Sequence, residues 1–387
     1  MMKRKVLLSL LAIVVLALGI FLSIPQNHYI TKALRYQKAK IHQYKIFNNR
    51  TVKAESPQPW ELHQEYNEYS LTPKQEETFN EYRTVAFLMA KDSLLVFEKY
   101  WEDYGPDSYS NSFSMAKSIV SLLVGCAIDD GYIKSLDQPV ADFIPEFSEG
   151  DKSKITIRHL LTMSSGLSWD EAYASLFSTT TRAYYGKFLR ELVLDQEVIA
   201  EPGKEFKYLS GDSQLLSIIL AEATGKTLSE YMSDKIWSKV GAVHDALWSL
   251  DKENGIEKAY CCFNTNARDF ARIGRLVLNK GSWNGKQLIP EEYLEETIKR
   301  TTYLADKELG DEPTERYGHQ WWFTNHKGYN VIFARGILGQ YIFIVPELDV
   351  VAVRLGHLRA VVRVDGQPID IFAYLDIIVD INESIQE

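Results

Sequence analysis

The chain is poor in cysteine, with three in 387 residues: Cys126, and the adjacent pair Cys261 and Cys262. That excludes a disulfide framework, and with no C-x-x-C pair a structural zinc is not expected. Cys126 lies in an apolar run and reads as a small core residue. The motifs H-E-x-x-H, G-x-S-x-G and G-x-G-x-x-G are all missing, which removes the zincin, nucleophile-elbow and dinucleotide-binding readings. Gly225-Lys226-Thr227 imitates the end of a phosphate-binding loop, but Leu220 stands where its first glycine belongs. The eight histidines are scattered, and His319 and His357 read as packing or rim residues. No metal and no cofactor is expected, and there is no internal repeat or low-complexity tract.

Acidic residues are also missing from one end. Up to Lys53 there are ten basic side chains and no Asp or Glu. The whole chain carries 43 basic and 52 acidic residues, a formal net charge of −9, so the remainder holds 33 − 52 = −19. An acidic body argues against nucleic acid as a partner, because such binders carry a basic domain. It also makes a highly anionic substrate unattractive. A basic end fits a membrane address instead.

Lys3-Arg4-Lys5 precedes an uncharged run of 19 residues, 6–24. At about 1.5 Å per residue it spans roughly 28 Å, close to the hydrocarbon thickness of a bilayer. Ala17-Leu18-Gly19 offers a signal-peptide cleavage site, but Ile20-Phe21-Leu22 follows it, a poor context for cleavage. The reading is an uncleaved anchor in contact with membrane lipid. Basic residues flank both sides, so the positive-inside rule gives no orientation. Residues 28–53 form either an amphipathic helix on anionic lipid or a solvated basic linker. The expected organisation is a transmembrane anchor at 1–25, a basic juxtamembrane tether at 26–75 and a folded domain at 76–387.

Within that domain, residues 85–89 and 94–98 read as a β-hairpin turning at Lys91-Asp92. Residues 114–130 are apolar on almost every side and stop at Gly131, a buried helix with a glycine stop. Helices are expected over 215–223 and 267–278. Strands return at 321–323, 331–333, 341–345 and 350–353, and a last helix runs over about 368–385. Strands at both ends with helices between them imply one sheet built from both ends, an α+β domain with a helical insertion.

Ser114-Met115-Ala116-Lys117 opens the buried helix. A spacing of three puts hydroxyl and amine on one face of the first turn. The apolar helix could bury Lys117, lower its pKa and make it a base for the serine. The plainer reading is an N-cap serine with a surface lysine. Ser249-Leu250-Asp251-Lys252 repeats the spacing and reads as a surface turn. Tyr208 precedes an apolar helix, where a phenol beside a lysine can relay a proton; the plainer reading is an aromatic loop anchor. Tyr109-Ser110-Asn111 gives a Y-x-N that reads as the approach loop to Ser114.

Several runs together resemble the class C β-lactamase-like branch of the penicillin-recognising serine hydrolases. They are Phe113-Ser114-Met115-Ala116-Lys117-Ser118, residues 155–167 (ITIRHLLTMSSGL) and the loop 201–208. Residues 267–274 (ARDFARIG) and 317–322 (YGHQWW) are most similar to its 6-aminohexanoate-dimer hydrolase subgroup. The resemblance covers residues 80–360. It implies a β-lactamase/transpeptidase-like fold: an antiparallel sheet from both chain ends, flanked by helices, with an inserted helical subdomain.

It also implies roles. Ser114 would be the acylated nucleophile, Lys117 its base and Tyr208 the proton relay. Ser210 would fill the third position of Tyr-x-Asn, where the family often has Asn. The backbone N–H groups of Ser114 and Gln340 would form an oxyanion hole, and Tyr173 would bond a leaving amine. The third motif aligns with Ile337-Leu338-Gly339, which lacks the usual Lys or His at its first position. Arg335, two residues earlier on the same strand face, would be its substitute.

The function implied is a membrane-anchored serine hydrolase acting through an acyl-enzyme on a small amide or ester, single-pass, with its domain outside the cytoplasm. The alternatives are a β-lactamase or D-Ala-D-Ala carboxypeptidase, made less attractive by Ile337, and a non-catalytic sensor or scaffold that keeps the fold. A further alternative puts the domain in the cytosol as a lipid-surface esterase.

Overall fold

A computed structural model of the chain describes residues 2–385. Helix α1 (Met2–Ser23) is apolar around its whole circumference beyond its basic first turn, and among the described residues of its apolar stretch only Leu22 is partly covered by the protein. A short 3-10 turn leads into α2 (His28–Tyr36), which buries Tyr29, Ile30 and Ala33. Strand β1 (Asn49–Val52), strand β2 (Glu61–Leu62) and helix α3 (Pro73–Glu81) follow. Thr72 caps α3 with a reciprocal capping box to Gln75, and a proline opens its first turn, where no N–H is needed.

Next come β3 (Thr84–Lys91), β4 (Leu94–Tyr100), β5 (Ser110–Asn111) and α4 (Met115–Asp129). Helix α4 is buried over its first thirteen residues. It ends where Gly131 takes φ +76°, a left-handed conformation that glycine adopts without steric cost. The helical insertion includes α5 (Thr179–Tyr185) and α6 (Ser210–Thr224). Strands β6 (Ala246–Ser249) and β7 (Phe263–Thr265) lead to α7 (Ala267–Leu278), capped by Asn266. Strands β8 (Trp322–His326), β9 (Tyr329–Gly336), β10 (Gln340–Val345) and β11 (Val350–Gly356) precede the last helix, α8 (Asp370–Ser384).

The main sheet has seven strands in the order β8-β9-β10-β11-β3-β4-β2. Every pairing is antiparallel except β2 with β4. Its faces follow the period of two. Ile342 and Val351 meet Gly274 of α7 on one side; Tyr341 and Phe87 meet Tyr374 of α8 on the other. The hairpin, the buried helix and the late strands lie where the pattern placed them, and the sheet is built from both ends of the domain.

The segment read as a tether is folded. Helix α2 packs on α5, β1 pairs with β6 in a second sheet ordered β1-β6-β7-β5, and β2 adds to the main sheet beside β4. Ile41 and Val52 have no exposed surface, and Phe47 lies edge-on to Tyr184 with ring centroids 5.2 Å apart. The folded body thus begins near His28 rather than at residue 76. The basic residues misled because most of them point outward, while the apolar residues between them are the ones that pack. Ser249 also departs from expectation: it closes β6 fully buried and donates to Asn49 Oδ1 at 2.7 Å, so it is no surface turn. Cys126 is buried and unpaired, whereas Cys261 and Cys262 are joined in a vicinal disulfide.

Candidate active site

Ser114 sits at the N-cap of α4 with its side chain free of capping duty. The chain reaches it through Phe113, held at φ +43°, an uncommon conformation for a non-glycine residue; Asn111 Oδ1 fixes it by accepting from the Phe113 N–H at 2.8 Å. Gly336, at the end of β9, leaves the room. A Cβ there would lie 2.3 Å from Ser112 O and 3.3 Å from Phe113 Cβ. Gly336→Ala is expected to push the serine loop away and lower turnover by about 100-fold, the scale of a displacement near 1 Å. Steady-state ester hydrolysis checks this; turnover within twofold of wild type would show that the contact does not position the serine.

One turn on, Lys117 is 1 % exposed. Its Nζ lies 3.1 Å from Ser114 Oγ, 3.1 Å from Ser210 Oγ and 2.7 Å from Tyr260 O. These acceptors are neutral oxygens, so none repays the lost hydration of an ammonium group. Burial lowers the Lys117 pKa to about 8, with Glu171 and Asp212 opposing the shift. Asp212 is itself pushed up by burial, while a 2.6 Å bond from Ser165 Oγ works the other way.

Tyr208 stands over the same amine, its ring centroid 5.1 Å from Lys117 Nζ, and packs 5.4 Å from the ring of Trp322. Burial raises its phenol; the Ser114 hydroxyl, Arg335 and Arg359 act in the lowering sense. Ser210 opens α6 and donates its N–H to Glu171. Ser114, Lys117, Tyr208 and Ser210 thus meet at one point, supplied by two helix starts and one loop.

The remaining expected residues differ among themselves. Gln340 is fully buried opposite Gly336 in the sheet register, and its side-chain amide donates to Gly356 O at 2.7 Å. Gly339 takes φ +77° against Arg354, whose Nη1 donates to Leu338 O, Gly339 O and Leu358 O at 3.0, 2.7 and 2.9 Å. Tyr173 lies on the cavity wall with half its surface exposed. Desolvation of its hydroxyl, followed by the Glu171 carboxylate, pushes its phenol well up. Arg335 does not line the cavity among the described residues. It lies 3.4 Å from the Trp322 ring centroid and donates to Gln367 Oε1 at 2.5 Å. A guanidinium engaged in this way is a poor substitute for the cation missing at Ile337.

The cavity beside Ser114 has a volume of about 540 Å³. Residues that sequence reasoning missed shape it. Glu171 accepts from the Ser210 backbone N–H and the Tyr260 carbonyl from the Lys117 amine, and Cys261 of the disulfide lies on the wall. Ala33 and Leu34 of α2 do too. Only the Cys-Cys dipeptide carried a signal; the rest are ordinary residues whose role is set by tertiary placement.

The fold and the family match identify a serine hydrolase of the amidase/esterase type. The chain belongs to the Beta-lactamase family, whose model matches residues 74–360. It is 29 % identical over 297 residues to the 6-aminohexanoate-dimer hydrolase of Paenarthrobacter ureafaciens, covering 73 % of this chain and 75 % of that protein. A solved Bacillus anthracis structure assigned to the 6-aminohexanoate-dimer hydrolases superposes with a TM-score of 0.73 at 23 % identity, over 91 % of this chain and 94 % of the other. A D-stereospecific amidohydrolase from Streptomyces sp. gives a TM-score of 0.58 at 16 % identity, over 73 % and 93 %. Both structures share the fold.

Proposed function

We propose that this is a membrane-anchored serine hydrolase that forms an acyl-enzyme on Ser114. The observation that carries the reading is the dehydrated Lys117 amine within 3.1 Å of the Ser114 hydroxyl and without a carboxylate partner among the described residues. Neutral Lys117 takes the Ser114 Oγ proton as Oγ bonds to the acyl carbon. The Ser114 and Gln340 N–H groups hold the resulting oxyanion, as preorganised donors do in acyl transfer. Tyr208 passes a proton to the leaving nitrogen or oxygen as its bond to the acyl carbon breaks, with Lys117 resupplying it. Water then repeats the sequence on the ester and frees the acid. Ser210 orients Lys117, and Tyr173 on the wall bonds the leaving group. The Gly339 turn sets the position of Gln340, and Arg335 acts on Tyr208 by charge rather than by holding substrate.

The 22 residues of α1, about 33 Å as a helix, are long enough to serve as the anchor. The Cys261–Cys262 disulfide supports a domain outside the cytoplasm, since disulfides persist in oxidising compartments. Ile337 on the cavity wall, where the family carries a cation, supports an amidase or esterase over a β-lactamase or D-Ala-D-Ala carboxypeptidase.

The pH–rate profile tests the base. Below its pKa Lys117 is protonated and cannot accept from Ser114. The kcat/KM for a nitrophenyl ester is therefore expected to rise about tenfold per pH unit, with an apparent pKa near 8, and then level off. A flat profile between pH 6 and 9 would remove Lys117 from the role.

A further inference from the structure

The cavity beside Ser114 is shaped for a chain rather than for a charged small molecule. Leu34, Phe113, Leu176, Tyr184, Ile337 and Leu338 give it an apolar wall. Lys38 is the one charged residue lining it among the described residues, and it is exposed. Ile337 removes the cation that would otherwise face a substrate carboxylate.

The second observation is where that wall comes from. Ala33 and Leu34 belong to α2, which starts five residues after α1 ends. Ten residues of mostly helical chain separate Ser23 from Ala33, roughly 15–20 Å of rise. Helix α2 is fixed to α5, whose Thr180, Thr181, Tyr184 and Tyr185 complete the same wall. The opening is therefore held within a short helix of the bilayer surface and cannot swing away on a tether.

The rim is apolar and exposed as well. Leu34 is 56 % exposed and Phe177, next to the wall residue Leu176, is 69 % exposed. The loop from Leu358 to Val362 is tied to Leu338 through Arg354, and Val361 at its tip is 92 % exposed. Exposed apolar side chains beside a binding cavity mark contact with a membrane or partner, and here the bilayer is the surface at hand.

Building on the acyl-enzyme reading, we propose that the substrate is a bilayer-resident amphiphile. Its aliphatic acyl chain leaves the membrane laterally along α2 and fills this cavity, presenting its ester or amide carbonyl to Ser114. The products are the carboxylic acid of that chain and the freed alcohol or amine headgroup.

The test uses the full chain in phosphatidylcholine vesicles with 4-nitrophenyl esters from acetate to dodecanoate. Because each buried methylene adds to binding, kcat/KM is expected to rise at least about tenfold from acetate to dodecanoate. Dodecanoate embedded in the enzyme's own vesicles is expected to turn over faster than the same ester supplied in separate vesicles. Leu34→Glu is expected to reduce the dodecanoate-to-acetate ratio at least about tenfold, through loss of apolar wall. Ser114-dependent cleavage of acetate with no gain on lengthening, or equal rates from own and separate vesicles, would overturn the lipid substrate and leave the acyl-enzyme standing. Failure of every ester, with no labelling of Ser114 by a fluorophosphonate, would overturn both.

Discussion

Replacing Ser114 with alanine is expected to lower ester turnover by about 10⁴-fold or more, the scale seen when a serine nucleophile is removed from a preorganised site. It should also abolish both the pre-steady-state burst and covalent labelling by a fluorophosphonate. The size follows from the arrangement. Ser114 lines the cavity, lies 3.1 Å from Lys117 Nζ and opens the helix that carries that lysine. Ser210 sits equally close to Lys117, but it opens a second helix and its N–H is engaged by Glu171. Lys117→Met should cost nearly as much, because base and nucleophile act as one unit and their losses do not add. The double variant is the informative measurement: a loss equal to the product of the two single losses would show independent sites. Equal labelling of wild type and Ser114→Ala would instead remove Ser114 from the role of nucleophile.

A chain beginning at residue 76 is expected not to fold cooperatively, whereas one beginning at residue 25 should melt like the full protein. Removing residues 1–75 strips Ile41, Phe47 and Val52 from the core, about 1.5–3 kcal/mol each. That loss of roughly 5–9 kcal/mol is comparable with the whole stability of a domain. It also unpairs β6 along Ala246–Ser249, leaves Glu257 without its 2.7 Å partner Arg50, and frees the Asn111 N–H that Ile41 O accepts at 2.8 Å. Among the described residues of 2–24 only Leu22 packs against the core, and it is half-buried. Circular-dichroism melts of the two shortened chains decide the matter; indistinguishable cooperative transitions would mean that the N-terminal segment is accessory.

The elements of strongest periodicity, the 84–100 hairpin, α4, α7 and the late strands, were readable because their apolar pattern is dictated by one buried face or by complete burial. Ser114 and Lys117 were readable because three-residue spacing on an apolar helix fixes their relation locally. Residues 28–62 were not. Short strands such as β1 and β2 have too few residues for a period to register, and the sign of their charge drew attention to the membrane instead of to β6 and β4. The cavity wall was equally hidden: Leu34 and Tyr184 lie 150 residues apart and meet only because α2 packs on α5. Arg335 was placed on the right strand, but strand alternation does not say that Trp322 and Gln367 will occupy it.

The Arg354 side chain has a consequence for anyone wishing to change what the enzyme accepts. Its guanidinium is fully buried and donates to Tyr82 O and Thr84 Oγ1 as well as to the carbonyls of Leu338, Gly339 and Leu358. Two loops on the same side of the site therefore share one clasp. Grafting the 357–364 loop of a relative onto this scaffold would disturb the 337–339 turn unless the incoming backbone offers a carbonyl at the Leu358 position. A library that varies side chains at Val361 and Val362, and leaves the clasp alone, can explore new specificities without that penalty.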